Sequence, residues 1–169
     1  MAQTYTPIAS TTLTSAAASY TFSSIPATYT DLVLVAVGTT TTDGASLTIR
    51  FNADSTSNYS TTMVRGNGTS ATSARGTSIT SLFLGYGTGF SSSQITNAIM
   101  NIQNYANATT FKTCISRVNN ANGSTGVGTE ANVGLWRKTP AAINSIVIGA
   151  DAGNLATGMV FTLYGIKAA

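Results

Sequence analysis

The acidic side chains are the first place to look for chemistry, because the chain has only five of them and no histidine. Without histidine, neither a Ser-His-Asp triad nor a Cys-His pair can form, which nearly excludes hydrolysis by an activated nucleophile. Two carboxylates could still act as the acid and base of a glycosidase. Four of the five, however, lie in or beside turn sequences, where Asp commonly stabilises a bend. We therefore expect no catalytic residue and no enzymatic activity from Asp31, Asp43, Asp54, Glu130 and Asp151.

Two loop-like stretches and one cysteine are the remaining candidates for ligand binding or nucleophilic chemistry. NADSTSN (52–58) spaces oxygen atoms in a way that would suit Ca²⁺, but it offers a single carboxylate, so a plain Asx-turn loop is the better interpretation. GYGTGF (85–90) looks like a phosphate-binding loop, yet no Lys and no helix follow it. Cys114 lies in the strand-like FKTCISRV and is expected to be a small core residue. The sequence therefore predicts no metal site, no cofactor site and no reactive thiol.

The charge pattern limits the partners. The formal net charge is +3, but the basic residues are spread along the chain and only Arg137 and Lys138 are adjacent. A nucleic-acid-binding surface would need clustered Lys and Arg with interleaved aromatic residues, so we expect no nucleic-acid partner. The longest apolar run, LVLVAV (32–37), is too short for a membrane helix. The first residues, MAQTYTPIASTTL, lack the basic and apolar regions of a secretion signal, so we expect neither a membrane partner nor an export signal.

These residues must be positioned by strands, because good helix formers are scarce and period-two alternation recurs at short intervals. Gly, Asn, Asp and Ser fill the stretches between the alternating segments, as in tight turns. We predict an all-β protein with one antiparallel β-sandwich domain over 1–169, jelly-roll-like, with about ten strands, little or no helix, and residues 1–16 as an extended N-terminal arm. The ten segments are SYTF (19–22), DLVLVAV (31–37), SLTIRF (46–51), YSTTMVRG (59–66), SITSLFLG (78–85), TNAIMNIQNY (96–105), TFKTCISRV (110–118), VGLWRK (133–138), SIVIG (145–149) and MVFTLYGI (159–166).

The last of these segments predicts which side chains meet the interior. In MVFTLYGI, Met159, Phe161 and Leu163 share one face of the strand and are expected to point inward. Tyr164 lies on the opposite face, where it is expected to meet a neighbouring subunit or to cover a sheet face. We therefore predict that this segment is a core strand although it lies near the end of the sequence.

A second group of residues is predicted to contact partners. Leu135 and Trp136 look exposed and, with a strand DLVLVAV that is apolar on both faces, they leave apolar surface that a trimer could cover. Aromatic residues at strand ends would also suit a platform for stacking sugars, although burial in the core or in a subunit contact is favoured for them. Those aromatics are Tyr59, Tyr86, Phe90, Tyr105 and Trp136. The candidate subunit or partner contacts are Tyr86, Leu135, Trp136, Arg137 and Tyr164.

Four segments carry a resemblance to a known group of proteins. They are SYTFSSIPATYTDLVLV, LTIRFNADSTSNYSTT, IMNIQNYANATTFKT and the terminal FTLYGIKA. In this order they resemble a group of small β-rich structural proteins of tailed bacteriophages. Members of that group are similar to jelly-roll modules displayed on virions, either as capsid decoration (cement) proteins or as head- or tail-fibre knobs, typically as trimers.

The resemblance implies a non-enzymatic structural protein of the virion, made in the cytoplasm of a bacterial host and located on the capsid exterior. The leading hypothesis is a decoration protein that binds the major capsid protein as a homotrimer and stabilises the shell. The sequence shows no shaft and no separate attachment domain, which favours decoration over a fibre. The weak positive charge would assist docking on an acidic capsid surface. The alternative is a head- or tail-fibre knob that binds a host-surface glycan or receptor.

Overall fold

The computed structural model of the protein describes residues 4–122 and 126–167. Within these ranges it describes the side chains of all residues except 121, 122, 126 and 127. These ranges form strands and turns only, and they contain no helix that is long and apolar enough to cross a membrane. The strands are β1 (Tyr5–Thr12), β2 (Ser19–Phe22), β3 (Asp31–Gly38), β4 (Leu47–Phe51), β5 (Tyr59–Gly66), β6 (Ala71–Ile79), β7 (Leu82–Leu84), β8 (Thr96–Ile102), β9 (Lys112–Asn122), β10 (Gly126–Trp136), β11 (Ile146–Ala150) and β12 (Val160–Ile166).

Eight of the strands form a jelly roll, a sandwich of two four-stranded antiparallel sheets. One sheet has the order β1-β12-β3-β8, and the other has the order β2-β11-β4-β7. Strands β1 to β4 alternate between the two sheets along the chain, and so do β7, β8, β11 and β12. This alternation produces the Greek-key connections of a jelly roll. The predicted antiparallel β-sandwich is confirmed.

The remaining four strands extend the first sheet from four strands to eight. They form two hairpins, of which β5–β6 is inserted between β4 and β7 and β9–β10 is inserted between β8 and β11. Because β9 pairs with β8 and β10 pairs with β5, the sheet continues as β8-β9-β10-β5-β6. We call β9, β10, β5 and β6 the extension. From the second sheet it is β7 that contacts the extension, and loops cover other parts of its inner face.

The interior of the sandwich contains the inward face of β12. Phe161 and Leu163 are fully buried, as is Met159 just before the strand, whereas Tyr164 lies half-buried on the opposite face. The ring of Phe161 stacks on that of Tyr20, with centroids 5.7 Å apart. Since β12 pairs with β1 on one side and β3 on the other, it is an internal strand of its sheet. The predicted core position of this segment is confirmed.

Two strands were not predicted from the sequence, and both lie at edges of the eight-stranded sheet. β1 occupies part of the segment expected to be an extended arm, and it pairs with β12. β6 lies in a stretch interpreted as loop, and it pairs with β5. Both strands are rich in Ala, Ser and Thr, and most of their side chains are exposed or half-buried. An edge strand with so little apolar cover lacks the large alternating side chains by which a strand is recognised.

Candidate functional site

The glycine-rich stretch after β7 is a loop that is held by a buried carboxylate of the protein itself. Glu130, on the inner face of β10, accepts hydrogen bonds from three consecutive backbone N–H groups: that of Tyr86 on Oε1 at 2.9 Å, and those of Gly87 and Thr88 on Oε2 at 2.6 Å and 3.1 Å. Successive N–H groups that converge on one point form an anion-binding nest. The resemblance to a phosphate loop therefore has a physical basis, but the anion that the loop holds is Glu130.

Other polar side chains of the extension hold the same loop. Asn120 donates from Nδ2 to the carbonyl oxygens of Thr88 and Gly89, at 3.0 Å and 2.9 Å. Asn132 donates from Nδ2 to Oε1 of Glu130 at 2.7 Å. This part of the inner face is polar because it packs against loop backbone, whose N–H and C=O groups need partners when they are buried.

The fixed loop presents one aromatic side chain to solvent. Tyr86 is 49% exposed, and its ring lies 5.0 Å from that of Phe83, measured between centroids. An aromatic ring on a rigid loop is suited to stacking against a flat apolar partner such as a sugar face. Tyr86 thus stays a candidate contact residue.

Trp136 was predicted to be a partner contact, and this prediction is wrong. The side chain is 2% exposed and packs between two aromatic rings. Its ring is stacked on that of Tyr59, with centroids 6.4 Å apart, and meets that of Phe51 edge-on, with centroids 5.7 Å apart. Its indole Nε1 donates to Oδ2 of Asp54 at 2.8 Å. The reason is strand alternation, which places Trp136 on the inner face of β10 and only its neighbour Leu135 on the outer face.

The loop 52–58 is an Asx turn, as its sequence indicates. Oδ1 of Asp54 accepts from the backbone N and the hydroxyl of Thr56, and Oδ2 accepts from Nδ2 of Asn58 at 2.9 Å. Burial alone would raise the pKa of Asp54, but the hydrogen bonds from Asn58, Thr56 and Trp136 outweigh it and hold this pKa below its usual range. The carboxylate of Asp54 therefore has a structural role.

Cys114 has the role expected from its sequence. It is buried, its Sγ lies 3.8 Å from the carbonyl oxygen of Gly134, and burial raises the pKa of the thiol to about 12. A thiol with so high a pKa is protonated at neutral pH and is a poor nucleophile. Within the described ranges, no group of three or more His, Cys, Asp or Glu side chains is placed to hold a metal ion.

The outer face of the extension exposes a compact apolar surface that sequence reasoning missed. Ile115 on β9 lies directly opposite Val133 on β10, and Val64 on β5 pairs with Ala131, two residues from Val133. We call Ile115, Val133 and Val64 the outer patch, and their exposed fractions are 49%, 56% and 58%. Same-face neighbours on adjacent strands lie about 5 to 8 Å apart, so the three form one surface. Contiguous exposed apolar side chains commonly mark an interaction site.

Two of the predicted contact residues lie beside the outer patch. Leu135 is half-buried and follows Val133 on the same face of β10. Arg137 extends its guanidinium over the nearby end of β5, where it donates to the hydroxyl of Ser60 and, at 3.2 Å, to that of Ser78. The structure therefore brings Leu135 and Arg137 together with the outer patch.

Tyr164 lies on the same outer face but further away. Through the register of β12, β3, β8 and β9 it aligns with Ile115, three strands distant. Its ring meets that of Tyr5 edge-on, with centroids 6.4 Å apart, and Tyr5 is 59% exposed on the edge strand β1. These two tyrosines form a second aromatic surface, at the edge of the sheet.

Alternation in FKTCISRV contains the signal for the outer patch, since Ile115 and Arg117 must lie opposite the buried Cys114 and Val118. The sequence alone does not show that Val133 lies beside Ile115, because the register between two strands is a property of the folded chain.

Comparisons of the chain with protein-family models, with curated proteins and with solved structures found no match.

Proposed function

We propose that this protein is a non-enzymatic structural protein of a tailed-phage virion, which binds the major capsid protein on the outside of the capsid as a homotrimer and stabilises the shell. The proposal combines the resemblance in the sequence with a jelly roll whose largest sheet exposes apolar side chains. A shell-binding protein needs a rigid body and a docking surface, and it needs no active site.

The observation that carries the proposal is the outer patch. Val64, Ile115 and Val133 are each about half-exposed, although each lies on a well-paired internal strand. A broad sheet face of this kind suits contact with another large surface, where many small apolar contacts add up. A capsid shell offers such a surface.

The trimer is the second element of the proposal. The edge strand β1 with its exposed Tyr5, and the adjacent Tyr164, offer an aromatic surface at the edge of the sheet, across a depression that Tyr5 and Ile115 both line. Aromatic residues are enriched in the cores of protein interfaces. In a threefold ring each subunit would present this surface to its neighbour, which leaves the outer patch available for the shell.

Fractionation of particles tests the proposal. Particles released from the cells that produce the protein are separated on a density gradient into intact heads and free tails, and the protein is quantified in each fraction. We expect it in the head fraction, and we expect heads stripped of it to lose resistance to heat or to a chelator. Recovery from tails alone, or from the particle-free fraction alone, would refute the decoration role.

A second candidate function, a fibre knob that binds a host-surface glycan, is favoured by Tyr86. This ring is held on a loop with three backbone N–H groups anchored to Glu130, and such a preorganised aromatic suits sugar stacking. A glycan array probed with the wild type, with Tyr86→Ala and with the control Tyr5→Ala decides it. Binding that is lost only in Tyr86→Ala supports the knob, and uniformly absent binding eliminates it.

A further inference from the structure

We propose that the outer face of the extension is the docking surface of this protein, and that its partner there is an acidic protein surface with apolar side chains among its carboxylates. The inference rests on the proposed function and specifies which face binds the shell and what chemistry the shell must offer. It is carried by the outer patch together with the distribution of charge around it.

Two arginines flank the outer patch on its own sheet face. Arg117 lies two residues beyond Ile115 on β9, so both side chains point outward. Arg75 on β6 pairs with Thr62 on β5, and Thr62 pairs with Val133 on β10. Arg75 therefore lies on the same face as Val133, directly across the sheet and two strands away. Both arginine side chains are exposed.

A third arginine lies at one end of the patch. The guanidinium of Arg137 is positioned by the hydroxyls of Ser60 and Ser78, with the latter at 3.2 Å. A guanidinium that is already oriented loses less side-chain freedom when it binds a carboxylate, and its planar fork matches the two carboxylate oxygens. The patch is therefore surrounded by cations on several sides.

No acidic residue balances these charges on the outer face of β9, β10, β5 or β6. Glu130 is buried on the inner face, Asp54 is buried against Trp136, and Asp31 begins β3, where it accepts from the backbone N of Asn104. The other two carboxylates accept from backbone N–H groups elsewhere: Asp43 from Ser92 and Asp151 from Ser46. Four of the five acidic residues of the chain are thus placed away from this face. The fifth, Asp31, lies on the same side of the sheet, two strands beyond β9, where it lines one surface depression with Ile115.

The outer face of the second sheet differs in its charges. A surface depression there, lined by Thr48, Arg50, Phe83 and Val147 among others, also includes Asp151, so both signs of charge occur together. The outer face of the extension, in contrast, combines apolar side chains with arginines as the charged residues of its own strands, and Asp31 lies two strands beyond β9. Complementarity then requires a partner with carboxylates around apolar side chains.

Other occupants fit this surface less well. A second copy that docked through the same face would bring arginines against arginines, which costs free energy. Single-stranded nucleic acid would satisfy the arginines, but it also needs aromatic side chains on which its bases stack, and Val64, Ile115 and Val133 are aliphatic. An acidic protein surface satisfies both the cations and the apolar patch.

Binding assays on three variants test the inference. Arg117→Glu reverses one charge beside the patch, Val133→Asp places a carboxylate within it, and the control Arg50→Glu makes the same charge reversal on the second sheet, with a thermal melt confirming that each variant is folded. The probes are heads stripped of the protein, an immobilised glutamate–tyrosine copolymer, duplex DNA, and vesicles that contain phosphatidylserine. We expect Arg117→Glu and Val133→Asp to weaken binding to stripped heads by about tenfold or more, whereas Arg50→Glu binds like the wild type.

The outcomes separate the docking face from the proposed function. If the wild type binds heads and all three variants bind equally well, the face is wrong and the decoration role survives. If the wild type does not bind heads, the decoration role fails, and the copolymer tests the face alone: salt-sensitive retention that is lost in Arg117→Glu and kept in Arg50→Glu supports it, and equal retention of both variants overturns it. Tighter binding of the wild type to DNA or to vesicles than to the copolymer also overturns it.

Discussion

The indole N–H of Trp136 donates to the carboxylate of Asp54 across 2.8 Å, and the two residues are 82 positions apart in the sequence. This hydrogen bond ties the end of β10 to the Asx-turn loop that follows β4, and so it joins the extension to the jelly roll. A charge-assisted hydrogen bond between two buried groups contributes more than a neutral one. We therefore expect the hydrogen bond between Trp136 and Asp54 to contribute to the stability of the extension.

The coupling between these two residues can be measured in a double-mutant cycle. We expect Trp136→Phe and Asp54→Asn each to lower the free energy of unfolding by about 1–3 kcal/mol, because each leaves a buried polar partner poorly satisfied. In the double variant the two losses should fail to add, with a coupling of about 0.5–3 kcal/mol in urea denaturation. Strict additivity would show that the hydrogen bond contributes nothing.

The pH dependence of stability should carry the signature of Asp54. Its pKa in the folded state lies below the usual value of an Asp, so its contribution to stability is present above the unfolded-state pKa of about 3.9 and is lost as the pH falls through the folded-state pKa. We expect the melting temperature to fall below about pH 4 in the wild type and to fall less steeply in Asp54→Asn. Parallel curves for the two proteins would contradict this assignment.

Glu130→Gln should loosen the loop that carries Tyr86. The amide keeps only one acceptor oxygen and presents N–H donors towards the backbone N–H groups of Tyr86, Gly87 and Thr88, so we expect a loss of about 1–3 kcal/mol. Hydrogen exchange should accelerate at these three amides before it does in the strands. Asp43→Asn, which alters an exposed carboxylate that also accepts a backbone N–H, is the control and should change little.

Phe161→Ala tests the position of the final strand in the core. Removal of a fully buried phenylalanine costs about 3–5 kcal/mol, which for a protein of this size lowers the melting temperature by on the order of 10 °C. Thr162→Ala, one residue along and on the outward face, should cost less than about 1 kcal/mol. Equal melting temperatures for Phe161→Ala and the wild type would mean that β12 is peripheral, and truncation before Met159 would then be tolerated as well.

Strand alternation was a sufficient guide where a strand buries one large apolar face. Phe161 and Leu163 in β12 illustrate this, because a shift of one residue would expose both. The Asx turn could also be predicted from the sequence, because Asp54 and Asn58 lie in one short loop and are hydrogen-bonded to each other within it. In each case the information is local in sequence.

The extension was only partly predictable because part of its inner face is polar. Glu130 and Asn132 interrupt the alternation of β10, so only its last residues looked like a strand, although the strand begins at Gly126. The burial of Trp136 could not be predicted for a related reason: alternation places it opposite Leu135, but the loop with Asp54 that helps to bury it lies far away in sequence. Side chains buried by remote backbone give no periodic signal, and neither does the register that assembles the outer patch.

The most direct test of the decoration role is an electron cryomicroscopy reconstruction of intact particles that carry the protein. We expect threefold-related density on the outside of the capsid that accommodates three copies of the jelly roll, with Ile115, Val133 and Val64 of each copy facing the shell. Density for the protein on the tail alone, or intact heads without any external density for it, would contradict the role proposed for this protein.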